Sequence, residues 1–90
     1  MANTINDIVL SDTAWTDAYA ATGYTVGASL LIDNKSNDFI LLQIAPSSPS
    51  ASSKDGMSIP PFKMAKVSAG ESGCFLKLSL GSGPCNIQLA

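Results

Sequence analysis

Ala28-Ser29-Leu30-Leu31-Ile32-Asp33 is followed by Asn34-Lys35-Ser36-Asn37-Asp38 and then by Phe39-Ile40-Leu41-Leu42-Gln43-Ile44: two apolar runs on either side of a polar turn. Short apolar runs bounded by Asn, Asp and Ser are strand and turn chemistry, and the spacing predicts a β-hairpin. Ala28, Leu30 and Ile32 share one face of the first run, and Ile40, Leu42 and Ile44 share one face of the second. The opposite faces carry Leu31, Phe39 and Leu41 and are apolar too. A strand pair with two apolar faces is expected at the centre of a two-layer structure or under a neighbouring subunit.

Towards the C-terminus, Cys74, Leu76, Leu78 and Leu80 alternate with Phe75, Lys77 and Ser79. After Gly81-Ser82-Gly83-Pro84, read as a turn, Cys85, Ile87 and Leu89 alternate with Asn86 and Gln88, which predicts a second hairpin. A tight turn there would leave Cys74 and Cys85 too far apart along the ladder to bridge, and their parity with Leu and Ile points to two buried thiols. A disulfide across a wider loop, or a metal or redox role without any His, are the alternatives.

Between the two pairs, Pro46 to Gly56 is small, polar and turn-forming and reads as a surface loop. Met57-Ser58-Ile59 and Phe62 to Val67 read as short strands separated by Pro60-Pro61. That pair lacks two ladder donors, so it belongs at a sheet edge or on a crossing between sheets. Ile5 to Leu10 suits a strand, and Trp15 to Ala20 either a strand or one helical turn capped by Asp12 or Thr13. Six to eight short strands predict an all-β fold, a small antiparallel β-sandwich or jelly-roll-like barrel, with residues 1–90 as a single domain.

Composition narrows the function. The chain is 46% hydrophobic and 13% charged, with net charge -2 and mean hydropathy +0.23, far from the composition of disordered chains. It contains neither His nor Arg, which removes the commonest general base, the commonest metal ligand and the planar fork that grips phosphate. Lys35, Lys54, Lys63, Lys66 and Lys77 are scattered and outnumbered by acids, so nucleic acid is not an expected partner. No apolar run reaches the roughly 18 residues of a membrane span, and Met1 to Asp7 has no basic-then-apolar leader pattern. Synthesis in the cytoplasm is the expectation.

The serines have no base beside them, and no S-x-x-K spacing occurs at any lysine. A carboxylate pair such as Asp12 and Asp17 could in principle do acid/base work on a glycoside, but nothing marks a cleft. The Asp33 to Asp38 cluster lacks the Gly and bidentate Glu of a calcium loop and reads as an Asx-rich turn. No catalytic, cofactor-binding or metal residues are therefore assigned. A domain this small buries only about 60 to 65% of its unfolded surface, so part of its apolar composition is expected to serve a subunit interface.

Most of the rings, Trp15, Tyr19, Tyr24, Phe39, Phe62 and Phe75, are expected in the core, with one or two at an interface or a sugar-stacking platform. Trp15 and Phe75 are the choices for that role. Leu31, Phe39 and Leu41, on the second apolar faces, complete the candidate interface.

Ala14-Trp15-Thr16-Asp17-Ala18-Tyr19-Ala20-Ala21-Thr22-Gly23 and Val26-Gly27-Ala28-Ser29-Leu30-Leu31-Ile32-Asp33-Asn34-Lys35-Ser36 are the first pieces of a longer pattern. Pro46 and Pro49 in the Ser-rich loop, Lys54-Asp55-Gly56, and Ala69-Gly70-Glu71-Ser72-Gly73 before an aromatic strand complete it. In this order of elements the chain resembles small accessory virion proteins of tailed bacteriophages. The resemblance implies a compact β-sandwich that attaches to capsid or tail subunits as a decoration, knob or fibre-base protein, and a homo-oligomer. It implies residence in the virion after synthesis in the host cytoplasm. Phe75 stands where that group often has Trp, so no contact role is carried over to it. The competing expectation is a carbohydrate- or receptor-binding module built on Trp15 and the Asp33 to Asp38 turn.

Overall fold

The computed structural model describes residues 6–90. In chain order its elements are β1 (Ile8–Ser11), β2 (Thr16–Asp17), α1 (Ala18–Thr22), β3 (Leu30–Asn34), β4 (Ile40–Ile44), β5 (Met57–Ile59), β6 (Met64–Val67), β7 (Cys74–Leu78) and β8 (Ser82–Leu89). The part of the expected Ile5 to Leu10 strand at Ile5 lies outside the described residues; the remainder is β1.

The strands form two four-stranded sheets, β1-β8-β3-β6 and β2-β7-β4-β5, with every pair antiparallel. This is the strand order of an eight-stranded jelly roll. The parity of β3, β4, β7 and β8 is as the sequence indicates: with Leu10 of β1 and Ile59 of β5, Leu30, Ile32, Cys85 and Ile87 of the first sheet face Ile40, Leu42, Cys74, Leu76 and Leu78 of the second, all buried in one core.

Both expected hairpins are corrected. β3 and β4 do not pair: residues 35–39 carry the chain from the first sheet to the second. β7 and β8 do not pair either: residues 79–81 carry it back. A short polar turn serves a hairpin and an inter-sheet crossing equally well, and alternation tells which face is inward without telling which strand lies alongside. The pairing that occurs instead is long-range, Leu30 opposite Leu89 and Ile40 opposite Leu78. Only β4 and β5 are neighbours both in sequence and in a sheet.

The turn expected at Gly81 to Pro84 is also shorter than read, because β8 begins at Ser82. Pro84 is tolerated there because β3 ends at Asn34, opposite Cys85. On that side Pro84 offers only its carbonyl, which accepts from the Lys35 N–H at 3.2 Å. Pro60-Pro61 does cross between the sheets, at the edge strands β5 and β6.

Trp15 to Ala20 combines the two expected forms: β2 is followed at once by the single turn α1. Its cap is Asp17, whose Oδ1 accepts from the N–H groups of Tyr19 (3.0 Å) and Ala20 (3.3 Å), in place of Asp12 or Thr13. Gly23 ends the turn in the left-handed region, φ 77°. α1 buries Ala18 and Tyr19, and the Tyr19 hydroxyl donates to Ala28 O at 2.7 Å, which closes one end of the sandwich.

The β4–β5 loop, residues 45–56, turns back over the outer face of the second sheet. Its return depends on Gly56, at φ 118°, where an added Cβ would collide with the Leu42 carbonyl of the adjacent strand. Gly56→Ala is therefore expected to cost at least about 2 kcal/mol, read as a lower denaturation midpoint at unchanged slope.

Candidate interaction surface

Because every neighbour is antiparallel, the connections β1–β2, β3–β4, β5–β6 and β7–β8 all lie at one end of the sandwich. Asn34, fully buried at the end of β3, ties two of them together, β3–β4 and β5–β6. Its Nδ2 donates to Asp38 O (2.7 Å), Ile59 O (2.9 Å) and Pro60 O (3.1 Å). Its Oδ1 accepts from Ser36 N–H (2.9 Å) and Ser36 Oγ–H (2.7 Å). The neighbouring turns are joined as well: Ser79 N–H donates to Phe39 O at 3.0 Å, and Gly81 N–H to Asp12 Oδ2 at 2.9 Å. This end is thus a cross-linked platform.

The platform carries large apolar side chains outward on three adjacent connections: Leu80 is 68% exposed, Phe39 45% and Phe62 66%. Phe62 is the unusual one. Lys63 N–H donates to Pro60 O at 3.2 Å, closing a four-residue turn with Pro61 and Phe62 at its centre. Phe62 has φ +60°, the geometry of the third position of a type II turn, where glycine is usual. Among the described residues it is the only non-glycine in that region. A bulky side chain there costs roughly 1–2 kcal/mol of strain, and the exposed ring gives little packing in return.

The outer face of the second sheet differs. Trp15, Leu41 and Phe75 are buried together with Ala45 beneath the 45–56 loop. Trp15 Nε1–H donates to Ser50 O at 3.0 Å. Lys77, only 2% exposed, donates through its ammonium to the carbonyls of Ala51 and Ser53, and it sits 5.8 Å from the Trp15 ring centre. The loop is therefore a strap, tied at its tip by an indole and a cation. This second small core accounts for the apolar outer faces of β4 and β7.

Between the edge strands β5 and β6, at the opposite end from the platform, the two sheets do not close. Register directs Ile44 and Met57 towards the inter-sheet space, yet they are 38% and 66% exposed. With Leu42, Ala65 and Val67 they line a largely apolar hollow of about 190 Å³, whose lining also includes Lys66, Ser68 and Glu71. A second hollow of about 160 Å³, polar, lies among Lys35, Ser36, Asn37, Asp38 and Ser82 to Pro84 on the platform. Lys35 there is held by Asp7 at 2.7 Å, and the ammonium keeps the Asp7 carboxyl below the usual range.

Of the candidate interface residues, Trp15, Leu41 and Phe75 come together, but under the protein's own strap. Phe39 is exposed on the platform, and Leu31 is half-buried on the outer face of the first sheet between Lys66 and Gln88. Sequence reading missed Phe62, placed within a strand, and the open corner at Ile44 and Met57. The Pro60-Pro61 pair was the available signal for the turn that presents Phe62.

Cys74 and Cys85 are free, fully buried and in opposite sheets. Burial pushes both thiols up to about 12, with Asp17 adding to the effect at Cys74 and Asp7 and Asp33 at Cys85. Native protein at pH 8 is expected to resist iodoacetamide, with both thiols reacting after denaturation. The unfolded chain releases these protons near 9 and the folded one only near 12, so stability is fully present below pH 9 and falls as pH rises through that window. Denaturant midpoints from pH 8 to 11 check this.

Among the described residues no group of three or more His, Cys, Asp or Glu is placed to hold a metal ion, and no helix is long and apolar enough to cross a membrane. The class that the geometry defines is a small jelly-roll sandwich with one cross-linked apolar end and one open apolar corner. The chain finds no match among family models, curated proteins or solved structures.

Proposed function

We propose that this chain is a non-enzymatic structural protein that works by attaching to other protein subunits. In keeping with the resemblance of its sequence, we read it as a virion component of a tailed bacteriophage, a decoration, knob or fibre-base subunit on capsid or tail. The observation that carries the reading is the platform: hydrogen bonds of Asn34, Ser79 and Gly81 together cross-link its four connections while Phe39, Phe62 and Leu80 stand in solvent. Rigid, pre-organised apolar side chains are what a docking surface needs, and exposing them is otherwise unfavourable.

A carbohydrate-binding module built on Trp15 is less well supported, because the strap covers that ring and uses its Nε1–H. Quantitative mass spectrometry of purified particles tests the proposal. Hundreds of copies per particle are expected for a shell component and a dozen or fewer for a tail or vertex fitting. Absence from particles, or sharp binding on a glycan array abolished by Trp15→Ala, would overturn it.

A further inference from the structure

The turn bearing Phe62 and the hollow between β5 and β6 lie at opposite ends of the same edge of the sandwich. One is a convex apolar knob, held out in a conformation that costs energy and buries little. The other is a concave apolar site lined by Leu42, Ile44, Met57, Ala65 and Val67. Their sizes agree: the hollow measures about 190 Å³, and an apolar protein cavity of about 150 Å³ accepts benzene.

Charge agrees as well. Lys63 follows Phe62 directly and is exposed, and Glu71, half-buried, is one of the residues lining the hollow. Neither has an ion-pair partner among the described residues, where the one salt bridge is Lys35–Asp7. Lys66 lines the hollow as well, but its alternation with Ala65 and Val67 directs its side chain towards the outer face of the first sheet, which leaves Glu71 to meet an incoming cation.

We propose that copies of this chain join head to tail, the Phe62 ring of one seated in the Leu42–Ile44–Met57–Ala65–Val67 hollow of the next, with Lys63 facing Glu71. Knob and hollow are different surfaces, so the contact is heterologous and repeats from copy to copy into a ring or a filament. This rests on the reading that the chain works by association, and it names the surfaces and the partner.

Two variants each remove one half of the contact. Phe62→Gly deletes the knob and puts glycine where the backbone favours it, so its melting temperature is expected to be unchanged or a few degrees higher. Met57→Lys, at an exposed position, places a charge in the hollow beside the incoming Lys63. Sedimentation of the full chain should show wild type growing in mass with concentration, each variant alone as a 9.3 kDa monomer, and their equimolar mixture as a 1:1 dimer. Lys63→Glu should weaken self-association at least tenfold, and adding Glu71→Lys should restore it.

A wild type that stays monomeric at several hundred micromolar, or a Phe62→Gly variant that associates like wild type, overturns the head-to-tail contact. Either result leaves attachment to other virion subunits standing if the monomer is still found in particles. Absence from particles together with intact self-association would instead overturn the virion reading and leave this contact in place.

Discussion

Asn34→Leu is expected to destabilise the protein by about 4 kcal/mol, lowering the melting temperature by roughly 20 °C. Leucine has the same branched outline but its methyls cannot approach oxygen and nitrogen as closely as the amide does, so crowding adds to the lost hydrogen bonds. The carbonyls of Asp38, Ile59 and Pro60 lose their common donor, and the Ser36 N–H and hydroxyl lose their acceptor. Buried groups left without partners cost about 1–3 kcal/mol each, and here at least two have no route to water. Asn34→Asp keeps the acceptor but turns a carboxylate towards three carbonyls. It should lose as much at neutral pH and recover part of the loss in acid. Thermal unfolding followed by circular dichroism checks both, and a loss below about 1 kcal/mol would mean that the connections hold themselves.

Trp15→Ala should cost about 3–5 kcal/mol, the range for truncating a buried large ring, and should also release the strap. Ser50 loses the donor that anchors it, Lys77 loses the ring beside its ammonium, and Leu41 and Phe75 are opened to water. Limited proteolysis should then cut within residues 45–56 at sites protected in the native protein. Trp15→Phe separates the contributions: it retains most of the apolar cover and loses only the Nε1–H donor, so about 1 kcal/mol and partial protection are expected. Continued protection of the strap in Trp15→Ala would show that Lys77 alone secures it.

Strand existence and the inward faces were legible because alternation is a local signal: Cys74, Leu76 and Leu78 point inward as their spacing implies. Partnership was not legible. The five-residue polar turn Asn34 to Asp38 is chemically the same whether the chain doubles back within a sheet or crosses to the other one. Asn34 itself looked like one more Asx-turn residue, since two of its acceptors, Ile59 and Pro60, lie 25 and 26 residues downstream. Phe62 was obscured because glycine is the usual marker of a left-handed backbone and a phenylalanine gives no such sign. The open corner depends on the register of β4 with β5, so Ile44 and Met57 appeared as ordinary strand residues.

The place of β8, between β1 and β3, bears on how the molecule comes into being. While the chain leaves the ribosome, the first strand has no one to pair with until residues 82–89 arrive, and β3, which can already lie against β6, gains its second neighbour only then. Closure is thus a late event joining segments nearly a whole chain apart, which predicts slow acquisition of the native state, in milliseconds to seconds. In that interval the apolar strands lie open to the wrong partners, and a chaperone would find its work there.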